Sequence, residues 1–165
     1  MKNLKIWSLA LALLVALTGC ESKEDTAANT VPFKPVATAQ LAEKMVNVWQ
    51  LVEYAGQPAQ FDVVIDFQAE SFELYQRLYS SEYEKLTGSY TLLDAELTGV
   101  YSNCVEWNNA YTVQIAENPL RLRLIEANGA YAEYKAVEEV PAYIKDVAVE
   151  SAGAAEASRA SVYFL

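Results

Sequence analysis

Apolar and polar residues alternate with a period of two along four stretches of this 165-residue chain. Successive side chains of a β-strand point to opposite faces, so this pattern predicts strands with one buried face and one face toward solvent. Half-buried strands of this kind are typical of antiparallel sheets. The alternate residues assigned to the buried face are Phe61, Val63, Ile65, Phe67, Phe72, Leu74, Gln76, Leu78, Tyr111, Val113, Ile115, Leu120, Leu122 and Leu124.

Turn-forming segments separate the alternating stretches, at residues 68–71, 94–95, 117–119 and 128–129. Asn128 and Gly129 suit a two-residue type I′ turn, which needs positive φ at both positions. We predict eight strands, near residues 46–54, 61–68, 71–79, 84–92, 96–102, 108–116, 120–127 and 130–138. Short strands joined by hairpins, with no long helix between them, predict an all-β meander that closes into an up-and-down barrel or forms a sandwich.

The segments that flank these strands have a different character. Residues 38–45 are predicted to form a short helix, with Thr38 as the N-cap and with Leu41 and Met45 on one face. Pro141 suits a first helical position, and one or two helical turns are expected after it. Residues 151–161 have the composition of a linker, and the apolar residues 162–165 are expected either to dock or to fray.

The first residues of the chain have the features of an export signal. Two lysines precede an apolar run over residues 6–17, which is shorter than the roughly 20 residues of a membrane-spanning helix. The run Leu-Thr-Gly-Cys that ends at Cys20 resembles a bacterial lipobox. The resemblance implies a signal peptide over residues 1–19 and acyl chains such as palmitate on Cys20. The alternative is an ordinary signal peptide that ends near a buried cysteine.

The residues after Cys20 bear on location. Glu21 stands where Asp would favour retention in the inner membrane, and the run Lys-Glu-Asp over residues 23–25 resembles a short cell-surface signal. The same run could equally be a solvated part of a flexible tether, predicted over residues 20–37 because little there can be buried. We therefore expect a lipid-anchored protein of the outer membrane, on its periplasmic side or at the cell surface.

Residues 41–138 resemble lipocalin-like (calycin-type) domains in the order and spacing of short motifs. The matching pieces are Asn-Val-Trp-Gln-Leu-Val at 47–52, the hairpin halves at 65–67 and 71–73, Gly-Ser-Tyr-Thr at 88–91 with Leu97, and residues 120–124 with Tyr134 and Lys135. The resemblance implies an antiparallel eight-stranded β-barrel, which we assign to residues 38–138. The change of pattern after Glu139 assigns the C-terminal helix and tail to residues 139–165. The resemblance also implies that the barrel interior holds a small apolar or amphipathic ligand.

The resemblance further implies that Trp49 closes one end of the barrel, in cation–π contact with Arg121, Arg123 or Lys135. The two arginines could instead be outward-facing solvated charges. The predicted ligand-binding residues are Trp49, Tyr90, Tyr101, Trp107 and Tyr111. Tyr75 and Tyr79 are candidates for an outer recognition patch, although tyrosine also packs well on any pleated surface.

Composition argues against several other classes of function. The chain has no histidine, which removes the commonest general base and zinc ligand, and we predict no catalytic residue, metal or cofactor. Its net charge of −10 repels phosphate backbones, so nucleic acid is not an expected partner. If Cys20 carries lipid, Cys104 is the remaining thiol and no internal disulfide can form.

Three hypotheses about function remain. The first is an envelope barrel that binds a small ligand in its interior, and the second is a filled barrel that presents its outer face to an envelope protein partner. The third is a hydrolase that uses a pair of carboxylates. Its candidate residues occupy positions where an exposed strand or loop would be acidic in any case, namely Asp62, Asp66, Glu73, Glu82 and Glu84.

Overall fold

The computed structural model describes residues 32–33, 36–150 and 164–165. The predicted signal peptide, Cys20, most of the tether and the predicted linker at 151–161 lie outside the described residues. Two helices are present, α1 (Thr38–Met45) and α2 (Ala142–Lys145). The strands are β1 (Val48–Tyr54), β2 (Gln57–Pro58), β3 (Asp62–Phe67), β4 (Ser71–Arg77), β5 (Glu84–Leu93), β6 (Glu96–Tyr101), β7 (Tyr111–Glu117), β8 (Leu120–Ile125), β9 (Tyr131–Val137) and β10 (Val149–Glu150).

Eight of these strands close into an antiparallel barrel. From β3 to β9 each strand pairs with the next along the chain, and β1 pairs with both β3 and β9. The ten-residue β5 pairs with β4 through residues 84–89 and with β6 through residues 88–93. This offset means that the strands tilt strongly against the barrel axis. The prediction of a closed up-and-down barrel is confirmed, and the sandwich is excluded.

Two hairpin turns differ from the expectation drawn from sequence. Asp94 and Ala95, between β5 and β6, have φ values of 48° and 68°, so the type I′ geometry occurs there. The prediction of that geometry at Asn128 and Gly129 is wrong, because only Gly129 has a positive φ, of 87°. The Asn128 side chain instead accepts a hydrogen bond from the backbone N–H of Ala130 at 2.7 Å, which stabilises a longer connection.

The barrel interior is a continuous apolar core. Its fully buried members come from seven of the eight barrel strands and include Trp49, Ile65, Phe67, Phe72, Leu74, Leu97, Ile115, Leu122, Leu124 and Tyr134. Leu41 and Met45 of α1 pack against the same core, at the end of the barrel where β1 begins, which we call the floor. The prediction of Thr38 as the N-cap is wrong, because the carbonyl of Ala37 already accepts the first helical hydrogen bonds.

A second apolar cluster lies on the outer face of β3 and β4. Val64 and Tyr75 pack there against Val140 and Ile144, which belong to a segment that we call the outer strap, residues 140–150. The strap contains α2 and ends in β10, which pairs in parallel with the first residues of β5. Tyr75 is therefore only 2% exposed and is no part of an exposed recognition patch, whereas Tyr79 is 88% exposed.

Candidate functional site

Two residues from the far end of the chain lie in the end of the barrel opposite the floor. We call this opening the mouth, and we call Phe164 and Leu165, the described residues that fill it, the plug. Leu165 is 1% exposed and belongs to the interior core. The ring of Phe164 lies 5.6 Å from that of Tyr54 and 5.5 Å from that of Phe61, measured between centroids. The plug thus covers the core with apolar side chains at the mouth, just as α1 does at the floor.

Polar side chains of the barrel bind the backbone of the plug. The N–H of Phe164 donates to Oε1 of Gln76 at 3.0 Å, and the carbonyl oxygen of Leu165 accepts from the Tyr101 hydroxyl at 3.1 Å and from Nδ2 of Asn108 at 3.4 Å. Gln76 is 1% exposed, and it also donates to Oε2 of Glu84 at 3.1 Å. A buried amide is costly unless it is hydrogen-bonded, so the plug is part of what makes an inward glutamine tolerable here.

The barrel wall beside the mouth is completed by a loop instead of a strand. Between β6 and β7 the ladder has two residue pairs, and the last part of β6 is bonded instead to residues of the segment 102–110, which we call the wall loop. The N–H of Trp107 donates to the carbonyl of Gly99 at 2.9 Å, and its ring lies over that glycine. A Cβ atom at residue 99 would lie 2.6 Å from Cζ2 of Trp107, so the indole fits only because residue 99 has no side chain.

Two polar groups inside the barrel have no hydrogen-bond partner among the described residues. They are the hydroxyl of Tyr134, which is fully buried, and Nε1 of Trp107, whose side chain is 7% exposed. The two other unpartnered buried atoms in this part of the chain are Nε of Arg121 and Nε of Arg123. A buried donor without a partner costs about 1–3 kcal/mol. The interior therefore holds donors that the described chain leaves unused.

Burial raises the pKa values of two phenols in this region, those of Tyr134 and Tyr111. It raises the pKa of Tyr134 well above the ordinary value, and the nearby phenols of Tyr111 and Tyr101 raise this pKa further. Burial also raises the pKa of Tyr111 to about 12, although a hydrogen bond with Asn109 acts in the opposite direction. The hydroxyls of Tyr134 and Tyr111 are thus protonated at neutral pH, so each can donate a hydrogen bond to an acceptor on a ligand.

The structure brings together three of the five predicted ligand-binding residues. Between ring centroids, Phe72 lies 5.6 Å from Tyr101 and 5.1 Å from Trp107. The ring centroid of Trp107 lies 6.1 Å from that of Tyr111. Tyr90 packs on Phe67 with its hydroxyl donating to the carbonyl of Gln68, and it lines an open depression together with Trp107. Gln76, Asn108, Tyr134 and the plug were not predicted as site residues. The signals available in the sequence were the inward register of Gln76 and the apolar character of residues 162–165.

Trp49 lies at the floor, where its indole N–H donates to the carbonyl of Met45 at 2.8 Å. The expected cation–π contact of Trp49 with Arg121, Arg123 or Lys135 is not found among the described residues. The guanidinium of Arg123 binds Glu133 at 2.7 Å and stacks over the rings of Phe33 and Tyr131. The alternation of β8 sends Leu122 and Leu124 inward, so Arg123 takes the outward position that was the alternative interpretation.

Open depressions lie along β5 and β6, with volumes of about 430, 480 and 280 Å³, and their linings include the core residues Phe72, Tyr101 and Trp107. Within residues 36–150 and the short described segments on either side, no three acidic or cysteine side chains converge as metal ligands. In the same residues no helix has the length and apolar character needed to cross a bilayer.

These features define a class of protein: a closed eight-stranded antiparallel barrel with a helix at its floor and a segment of its own chain in its mouth. No protein-family model, curated protein or solved structure matches the chain.

Proposed function

We propose that this chain is a lipid-anchored protein of the outer membrane whose barrel binds a small apolar or amphipathic ligand at its mouth. The anchor would be the acylated Cys20, an inference supported by the resemblance of residues 17–20 to a lipobox. The observation that carries ligand binding is the pair of donors inside the barrel that have no partner in the described part of the chain, the Tyr134 hydroxyl and Nε1 of Trp107.

The plug indicates how such a ligand would bind. Leu165 shows that the mouth accepts an apolar group together with an attached acceptor, which Tyr101 and Asn108 bind. A ligand that replaced it would regain about 25 cal/mol for each Å² of apolar surface buried. An acceptor that reached Tyr134 or Trp107 would also offset part of the cost of burying these donors. The proposed activity is binding, and no catalytic residue is assigned.

The first test is native mass spectrometry of residues 21–165 purified gently from the host organism. We expect a defined extra mass that is released on denaturation. A clean ligand-free mass, with no uptake of an apolar dye by the refolded protein, would count against ligand binding.

Substitution of Tyr134 by Phe makes the test specific. It deletes the unpartnered hydroxyl and leaves the ring, so we expect the ligand-free protein to gain about 1 kcal/mol in free energy of unfolding and the bound mass to be lost. Tyr143→Phe, at a tyrosine that is 61% exposed on the outer strap, is the matched control and should change neither. If the variant Tyr134→Phe still carried the extra mass, Tyr134 would not be a ligand-binding residue.

A second function, an interaction module for an envelope partner, is favoured by one observation. Three apolar residues of the outer strap are more than half exposed, namely Tyr143, Val147 and Val149, at 61%, 57% and 57%. Exposed apolar groups close together are typical of contact surfaces. Photo-crosslinking from position 147 in intact cells would test this function, with the exposed but polar position Asn128 as the control site.

A further inference from the structure

The plug is bound through three distinct features, each at a different atom. Its first N–H meets the carbonyl of a buried glutamine side chain, its last carbonyl meets two donors, and the apolar side chain between them is buried. The acceptor is Gln76, and the donors are Tyr101 and Asn108. This order of acceptor, apolar pocket and donors matches the order of groups along a peptide backbone.

A hydrocarbon ligand would satisfy this arrangement less well. A fatty acid offers an apolar body and an acceptor, but it has no N–H for Oε1 of Gln76, which lies at a residue only 1% exposed. The aromatic contacts also suit a peptide, because Phe164 makes edge-to-face contacts with Tyr54 and tilted contacts with Phe61. The mouth therefore binds the backbone N–H of one apolar residue and the main-chain oxygen of the next.

We propose that the ligand of the mouth is a short apolar peptide segment, bound in the pose that Phe164 and Leu165 adopt. This inference rests on the proposed function and names the ligand class. A peptide must displace the plug, which is attached to the barrel through the same chain and competes at an effective concentration in the millimolar range. The plug thus sets the affinity and concentration that a peptide needs in order to occupy the mouth.

The experiment uses the chain from residue 21 with the plug weakened by Phe164→Ser and Leu165→Ser. The probe is N-acetyl-Phe-Leu-amide, and binding is measured by calorimetry and by the emission of Trp107. We expect binding at least tenfold tighter than to the unsubstituted chain. A probe methylated at the Phe nitrogen lacks the N–H that meets Gln76, so we expect it to bind at least tenfold more weakly.

Two further variants assign the contact to the mouth. Tyr101→Phe removes the hydroxyl that binds the last carbonyl and keeps the ring, so affinity for the dipeptide should fall about tenfold. Tyr143→Phe on the outer strap should leave it unchanged. Equal affinity for the methylated and unmethylated probes would overturn the peptide class.

Dodecanoate serves as the non-peptide probe and separates the two proposals. If dodecanoate binds and the dipeptide does not, the peptide class is wrong and the proposed ligand binding stands. If neither probe binds to a folded variant, both are wrong. If the double substitution prevents folding, the dipeptide is titrated into the unsubstituted chain and followed by the amide NMR signals of Gln76 and Phe164; unchanged signals at saturating probe would then contradict the inference.

Discussion

Apolar residues close both the floor and the mouth of this barrel, but the two ends differ in the hydrogen bonding of their buried polar groups. At the floor the indole N–H of Trp49 is fully buried and donates to Met45 at 2.8 Å. Near the mouth the indole N–H of Trp107 is buried and has no partner among the described residues. The floor is covered by α1, which directly precedes β1, whereas the plug comes from the far end of the chain. Among the described residues, the buried indole N–H is therefore satisfied at the floor and unsatisfied near the mouth, where it lowers stability.

The largest expected effect is at the floor. Trp49→Ala removes a fully buried indole and leaves a cavity against Met45, so we expect the free energy of unfolding to fall by about 3–5 kcal/mol in urea denaturation. Trp107→Ala is the matched variant near the mouth. This substitution should lower the free energy of unfolding by less, because it also removes a buried donor that has no partner among the described residues. If Trp107→Ala costs as much as Trp49→Ala, the two ends do not differ in the way proposed.

The next effect concerns the fit of Trp107 against the barrel wall. A methyl group at residue 99 would overlap the indole, so Gly99→Ala should destabilise the protein by about 2 kcal/mol and shift the Trp107 emission to the red as the ring moves toward water. Gly129→Ala is the control: φ is 87° there and no atom lies within 4 Å. It should cost about 1 kcal/mol through backbone strain and leave the emission unchanged.

Titration gives a smaller effect that is specific to the mouth. The pKa of Tyr111 is raised to about 12 by burial, while a phenol in the unfolded chain ionises near pH 10. Stability linked to Tyr111 is thus fully present below pH 10 and is lost as the pH rises from about 10 toward 12. We expect a loss of about 1 kcal/mol by pH 11, measured by urea unfolding at several pH values.

Tyr111→Phe should remove this part of the pH dependence, because phenylalanine does not titrate. Tyr79→Phe is the matched control, since that tyrosine is 88% exposed and should leave the alkaline slope of the unsubstituted protein intact. Equal slopes in the two variants would mean that the pKa of Tyr111 is the same in the folded and the unfolded chain.

The barrel could be predicted from sequence because its signal is local. Residues 120–124 alternate with the period of a strand wherever they lie in the fold, and each of the eight predicted stretches overlaps one strand of the barrel. The plug could not be predicted in this way. Leu165 meets Tyr101 across 64 residues of sequence and Phe164 meets Gln76 across 88, so no local pattern records these contacts.

The same reason explains why Tyr75 was expected to be exposed. Its position on the outer face of β4 follows from the alternation, but its cover comes from Val140 and Ile144 of the outer strap. Strand periodicity tells which face a residue occupies and is silent about a later segment that packs on that face. The unused donors of Tyr134 and Trp107 likewise depend on which neighbours are absent, which only the assembled barrel reveals.

The smallest expected effect tests whether the stability of the floor comes from apolar packing. Lys44 of α1 binds Glu117 of β7 at 2.6 Å, and the two side chains are 31% and 56% exposed. Solvent and salt screen such a pair, so Lys44→Ala should cost about 0.5 kcal/mol at low ionic strength and less in 1 M salt. Arg123→Ala is the comparison, since its pair with Glu133 is less exposed, at 23% and 12%, and should cost more. A loss at Lys44 that approached the loss at Trp49 would mean that charge holds α1 on the floor, and that both ends of the barrel depend on polar contacts.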